Sequence, residues 1–310
     1  MTRSFRLVQG AAALATALCC ALTATVTNAP AASATEHSAA RPAFVVGRGA
    51  PALPPISATS FVVADLTTGR ILASYNAHER LAPASTLKIL TADTLLPRLS
   101  KSATVRGSVA AQNVECTCAG IVAGHTYNVG ALFTAMLLMS GNDAAISLAD
   151  ANGGVAKTIS QMNTQAWRLQ AYDTHAGSVN GLDAPRQTSS AYDLAVLFRD
   201  GYNLDSIPGF RHALGLTSAV FPLPSGKASH LYSHDRLLTS YPGMLGGKNG
   251  YTIAAHASFV GAATRNGHTI VVSVMRDVAN FWPEVTALLN WGFAADGRAN
   301  PVGSLANPRS

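Results

Sequence analysis

Apolar residues change their period twice along this chain, and the changes divide it into elements. Residues 60–76, SFVVADLTTGRILASYN, carry two β-rich runs around Thr67-Thr68-Gly69, which predicts a β-hairpin. LAPASTLKILTAD, residues 81–93, then reads as a helix beginning just after Pro83, with Ser85 at the helix start. Residues 128–150, NVGALFTAMLLMSGNDAAISLAD, keep an apolar helical period that Gly141-Asn142 interrupts. Further helices are expected over 155–168 and 187–200, the second with a capping-box-like start at Ser190 to Asp193. The period then returns to two. HASFVGAATRNGHTIVVSVM, residues 256–275, predicts two strands about an Asn266-Gly267 turn, and a one-sided apolar pattern predicts a last helix around Phe281–Phe293.

The order hairpin, helical middle, strands, terminal helix predicts an α+β fold. Its antiparallel β-sheet joins the first and last parts of the chain, is flanked by helices and carries an inserted helical subdomain. No internal repeat and no domain beyond residue 300 is visible, and no C-terminal stretch is apolar enough to anchor the chain in a membrane.

The first residues follow a different pattern. Arg3 and Arg6 precede an apolar run from Leu7 to Val26, and Ala32-Ser33-Ala34 offers a small-residue cleavage site, so residues 1–34 read as a cleaved signal peptide. Its competitor is an uncleaved membrane anchor. Residues 35–55, rich in Ala and Pro, read as a linker, and 301–310 as a tail. Removing 1–34 takes away Arg3 and Arg6 and no acidic residue, lowering the formal charge from +6 to +4. That excess suits anionic cell-surface polymers, and no Lys/Arg cluster points to nucleic acid. Two cysteines, Cys116 and Cys118, remain after the signal. A C-x-C pair in an exported protein forms either a small disulfide or two free thiols. His125 is the one nearby candidate for a third metal ligand, so no metal site is assigned and no function is built on the pair.

Several catalytic arrangements fail on inspection. There is no G-x-S-x-G elbow, HERLA at 78–82 lacks the second histidine of H-E-x-x-H, and no glycine loop ends in Lys-Ser or Lys-Thr. What remains is Ser85 and Lys88, one helical turn apart and therefore on one face. A lysine becomes a base when burial, a helix N-terminus or a second cation destabilises its ammonium form. Ser140-Gly141-Asn142 supplies a further hydroxyl, and Lys248-Asn249-Gly250 a further cation.

S-x-x-K at 85–88, S-x-N at 140–142 and the K-[T/S]-G-like Lys248-Asn249-Gly250 together resemble the three elements of penicillin-recognising serine enzymes. The words APASTLKILTA, LLMSGNDAA, NGLDAP and GGKNGYT are similar to those of the D-alanyl-D-alanine carboxypeptidases among the low-molecular-weight penicillin-binding proteins, over roughly residues 56–300. The resemblance implies a β-lactamase/transpeptidase-like fold and a serine D,D-peptidase domain over 56–300. It implies that Ser85 attacks the carbonyl between two D-alanines while Lys88 takes its proton. Ser140 would pass a proton to the departing nitrogen, Asn142 hold a substrate amide, and Lys248 attract the terminal carboxylate and polarise Ser140. The N–H groups of Ser85 and Tyr251 would form the oxyanion hole, with Asn249 and Gly250 beside them on the substrate. No cofactor is implied. The partners implied are peptidoglycan stem peptides ending in D-Ala-D-Ala, with β-lactams as inhibitors, for a secreted, cell-wall-associated protein.

The chain departs from that pattern at two positions: Asn249 stands where Thr or Ser is usual, and Asp235 where the family often has Asn. A class A β-lactamase shares the three elements but uses a glutamate between the second and third, and no glutamate lies between Asp143 and Lys248. A D,D-endopeptidase uses the same machinery, and a non-catalytic wall-binding or sensing protein on this fold would not need it intact.

Overall fold

In chain order the elements are strands β1 (Val45–Val46), β2 (Ser60–Asp65) and β3 (Arg70–Tyr75), a 3-10 turn at Ala84–Leu87 and helix α1 (Lys88–Leu95). Then come β4 (Thr104–Arg106), α2 (Val109–Gln112), β5 (Thr126–Asn128), α3 (Val129–Leu138), α4 (Asn142–Ala151), α5 (Val155–Arg168), α6 (Ala191–Asn203) and α7 (Phe210–Gly215). They are followed by β6 (Ser218–Pro222), β7 (Ala228–Tyr232), α8 (Leu237–Ser240), β8 (Met244–Thr252), β9 (His256–Arg265), β10 (His268–Asp277), α9 (Phe281–Ala295) and β11 (Gly303–Ser304). The structure, a computed structural model, describes residues 44–203, 209–224, 226–279 and 281–307. The expected signal peptide, residues 35–43 of the expected linker and the last three residues lie outside them.

The principal sheet is antiparallel throughout, in the order β1-β3-β2-β10-β9-β8, with β11 also on β3. The first hairpin and the late strands therefore meet at the β2–β10 pair, as the change of period predicts. Both faces of the central strands are covered. Along β2 the pleat sends Val62 and Ala64 into one core with α1, α3 and α6, and Phe61 and Val63 into a second core with α9. Val271 and Met275 of β10 join the first core, while Ile270, Val272 and Val274 join the second. A strand buried on both faces reads as a continuous apolar run, as FVVA and IVVSVM do here.

Two boundaries differ from the expectation. Part of the expected linker is strand β1, with Val45 opposite Ser74, and Trp291 Nε1 donates to Pro51 O at 3.0 Å. Part of the expected tail is β11, with Gly303 opposite Ile71, and it is followed by buried Leu305. Proline-rich composition signals extended backbone, and here that backbone lies along the outer edge of β3 and shields it.

The second expected helix begins at Ala191, because residues 187–190 are still extended, with Ser189 bridged to Leu81. Half of its capping box forms. Ser190 Oγ accepts from Asp193 N at 3.1 Å, but the Asp193 carboxylate turns instead to Asp173 N and Thr174. Two further antiparallel strand pairs, β4–β5 and β6–β7, stand outside the expected elements.

Candidate active site

The segment carrying Ser85 does not start as an α-helix capped by that serine. Ala84 sits at φ 51°, a conformation L-residues rarely hold, and Ala84–Leu87 forms a 3-10 turn with no side-chain cap. Hydrogen bonds to one carbonyl fix this turn: Thr86 Oγ1 and Ser258 Oγ donate to Pro83 O at 2.6 and 2.8 Å. Ser85 is thus left partly exposed at the floor of a cleft, with Lys88 one turn below it and completely buried.

Around Lys88 Nζ stand Ser85 Oγ at 2.9 Å, Asn142 Oδ1 at 2.7 Å, Asn180 O at 2.6 Å and Ser140 Oγ at 3.4 Å. Burial pushes the lysine well below its ordinary pKa; the charge of Lys248 adds to this, and Asp143 opposes it. The partners also dictate an orientation. Asn142 Oδ1 and the Asn180 carbonyl can only accept, so in the neutral amine they take its two N–H groups. The lone pair is left for the Ser85 hydroxyl, which then donates to nitrogen. That is the geometry a general base requires.

Ser140 lies where α3 ends, buried and at φ 68°. This left-handed residue breaks the long apolar helix and starts α4 at Asn142. Asn142 is held by the preceding loop, donating from its backbone N to Thr117 O and from Nδ2 to Glu115 O, both at 2.7 Å. Asp143 accepts from the N–H groups of Ala119, Gly120 and Ile121 at 2.8–3.0 Å. In that loop Cys116 and Cys118 form a disulfide, with their Cα atoms 4.9 Å apart. Of the two states the sequence allows, the bond is the one present, and it leaves no thiolate to join His125 at a metal. His78, Asp173 and Asp193 bring ligand atoms within 4.8 Å of one another, but Arg80 already pairs with Asp173, and none of the three lines the cleft.

The Lys248-Asn249-Gly250 word lies within strand β8, not ahead of the late strands. Lys248 is buried; its Nζ donates to Asn249 O at 2.6 Å, and among the described residues it makes no hydrogen bond to Ser140. Burial lowers its pKa to about 7, partly offset by Asp235. Asp235 is itself raised to about 6 by burial, with Leu237 N–H and Lys248 acting against the shift. Gly250 lies so close to the serine turn that a Cβ there would sit 2.5 Å from Ser85 N.

The cleft, of about 350 Å³, is lined by Ser85, Glu115, Cys116, Asn142, Asp183 and Tyr251, with Leu182 and Thr252 beside them. Thr252 Oγ1 donates across it to Asp183 Oδ1 at 2.9 Å. Of the residues singled out in the sequence, Ser85, Lys88, Ser140 and Asn142 meet directly. Lys248 acts on Lys88 through its charge, Gly250 packs on the turn, and Tyr251 stands exposed on the cleft wall beside half-buried Asn249. Sequence reasoning missed Asn180, which contributes a backbone carbonyl. It also missed His234, whose pKa is lowered by burial and then by Lys248 and Lys88. NGLDAP and the SHDR word around Asp235 were the available signals.

Comparison with known proteins gives a consistent set of relatives. Residues 48–279 match the family described as D-alanyl-D-alanine carboxypeptidase, peptidase S11. D-alanyl-D-alanine carboxypeptidase DacB2 of Mycobacterium tuberculosis is 39% identical over 264 residues, which span 83% of this chain and 89% of that protein. A crystal structure of a D-alanyl-D-alanine carboxypeptidase from Mycobacterium tuberculosis superposes with a TM-score of 0.80 at 39% identity, covering 84% of this chain and 100% of the other. The Streptomyces K15 DD-transpeptidase superposes with a TM-score of 0.73 at 27% identity, covering 79% and 100%.

Proposed function

Because the chain belongs to the D-alanyl-D-alanine carboxypeptidase family of peptidase S11, a family of serine hydrolases, we propose that it is an exported enzyme that removes the terminal D-alanine from peptidoglycan stem pentapeptides through a Ser85 acyl-enzyme. The observation that carries this reading is the Lys88 environment: a buried amine whose two N–H groups are taken and whose nearest remaining partner is the Ser85 hydroxyl at 2.9 Å, with Ser140 Oγ farther off at 3.4 Å.

Ser85 Oγ attacks the carbonyl between the two D-alanines as its proton passes to Lys88 Nζ. The oxyanion forms against the N–H groups of Ser85 and Tyr251. The proton then reaches the departing nitrogen by way of Ser140, the C–N bond breaks, and D-alanine leaves. Asn142 uses one Nδ2 hydrogen on Glu115 O and has the second free for a substrate amide. Lys248, with the Asn249 amide and Gly250 beside it, attracts the terminal carboxylate. Water enters where D-alanine departed and hydrolyses the ester. Penicillins acylate the same serine, and the net charge of +4 expected after export suits an anionic wall polymer.

A β-lactamase reading finds less support. Among the described residues, the one carboxylate from between Asp143 and Lys248 that lines the cleft, Asp183, is bonded to Thr252. An inert scaffold reading does not account for the intact contacts of Lys88.

Intact-mass measurement with a penicillin tests the proposal. The wild-type protein should gain one penicilloyl group on Ser85, Ser85→Ala should gain none, and Lys88→Ala should acylate at least about 100-fold more slowly, the lower bound for a lost general base. Near-normal acylation of Lys88→Ala would remove Lys88 from the role of base.

A further inference from the structure

The loop of residues 115–121 is tied to the Ser140–Asp143 word at five points. Asn142 donates to Glu115 O and to Thr117 O, and the Asp143 carboxylate takes the N–H groups of Ala119, Gly120 and Ile121. The two carbonyls that hold Asn142 flank Cys116, and the Cys116–Cys118 bond closes a ring containing Thr117 itself. Asn142 in turn presents Oδ1 to Lys88 Nζ at 2.7 Å, and Lys88 faces Ser85. From the disulfide to the nucleophile every step is one residue or one short hydrogen bond. The bond also stands at the cleft, with Cys116 exposed and among the lining residues.

We propose that the Cys116–Cys118 disulfide is a positioning element for acylation. It rests on the Ser85 acyl-enzyme reading above. The bond holds the Glu115 and Thr117 carbonyls in the spacing that orients Asn142, and Asn142 orients the amine of Lys88 so that its lone pair meets the Ser85 hydroxyl. Global stability is not its main role. Cross-linking stabilises by restricting the unfolded chain, the effect grows with the length of the closed loop, and here only Thr117 lies between the partners. The cost of losing the bond therefore falls on geometry at Asn142. Opening it is a simple reaction. A water-soluble phosphine attacks one sulfur, the S–S bond breaks, water supplies the oxygen of the phosphine oxide, and its two hydrogens leave Cys116 and Cys118 as thiols.

The test compares Ser85 acylation by penicillin in the full-length oxidised protein, in protein reduced by phosphine and desalted without air, and in reduced protein reoxidised afterwards. Reduction should slow acylation at saturating penicillin about tenfold, the effect of one misplaced hydrogen bond, and reoxidation should restore it. Cys116→Ser/Cys118→Ser should show the slow rate without phosphine and no response to it. The melting temperature of the reduced protein should stay within about 3 °C of the oxidised one, since a short loop contributes little. In an Asn142→Ala background, read over hours where needed, reduction should change the rate less than twofold, because coupled residues do not add.

Equal rates for oxidised and reduced wild type would overturn the inference. So would an equal slowing in the Asn142→Ala background, or a loss that reoxidation fails to reverse. If the oxidised wild-type protein takes up no penicillin at all, the acyl-enzyme reading falls first and this one with it.

Discussion

Lys88 and Lys248 are both buried, and among the described residues neither forms a salt bridge with a carboxylate. Burying a cation costs several kcal/mol unless it is paired or gives up its proton, and the depressed pKa of each lysine is the sign of that cost. Such strain is expected where chemistry is done and out of place elsewhere. For Lys248 the consequence can be read in stability. The folded pKa is about 7 against an ordinary 10.5, so between these values the unfolded chain holds a proton that the folded chain lacks. Stability from this group therefore rises with pH through that window and is lost as pH falls toward 7. Lys248→Met keeps the volume and removes the charge. It should melt higher than wild type at pH 7, by about 3 °C for each kcal/mol recovered, and the gap should narrow toward pH 10. A gap that stays constant with pH would show that the buried charge is not its source. The same variant should lose roughly 10- to 100-fold more activity on a peptide with a free C-terminal carboxylate than on its amide, the range for one charge-assisted contact. Equal losses on both would leave Lys248 a part in proton transfer only.

At the scale of elements, the site is a junction between a 3-10 turn and the last strand of the sheet. β8 is poor material for a strand: MLGGKNGYT has three glycines and one β-branched residue, and its β-structure comes from pairing with β9. The glycines are what lets it approach. Gly250 places bare backbone against Ser85 N, so Gly250→Ala forces strand and turn apart, with Ala84 Cβ also only 2.9 Å from the new carbon. Ser85 and the Tyr251 N–H would then no longer face one point. Gly250→Ala should lower penicillin acylation at least tenfold and melt below wild type, the cost of overpacking being about 1–3 kcal/mol. Wild-type acylation by a folded Gly250→Ala protein, measured by the same mass shift, would show that this contact does not set the geometry.

For the molecule as a whole, what matters is which groups can reach the ester after acylation. No glutamate lies between Asp143 and Lys248, Asp143 is committed to four backbone N–H groups, and Asp183 is bonded to Thr252. In the peptide reaction the leaving D-alanine vacates room for water. In the penicillin reaction the leaving group remains tethered and fills it. The penicilloyl enzyme should therefore outlast peptide turnover by orders of magnitude, and the protein should hydrolyse D-Ala-D-Ala peptides repeatedly while penicillin inhibits it. Timed mass spectra after rapid mixing measure the adduct directly. Its disappearance within about a second, a rate typical of enzymes in general, would favour the β-lactamase reading.

How much of this was legible in the chain depended on how locally each feature is encoded. The Ser85–Lys88 pair is set by one helical turn, the break at Ser140 by a glycine within an apolar run, and the first hairpin and last helix by their periods. The amino-acid order by itself determined the α+β class and which side chains are candidates for the chemistry. It did not determine that residues 45–46 and 303–304 would become strands, because both are recruited by the open edge of β3. Nor did it reveal Asn180, 92 residues from Lys88, whose contribution is a carbonyl that any residue would carry. The same holds for Glu115 and Thr117, which hold Asn142 through backbone oxygens. Only the tertiary structure decided that Lys88 is a buried amine facing Ser85 and not a surface charge. Its basicity is set by water removed and by a second lysine brought near, and both come from segments far away along the chain.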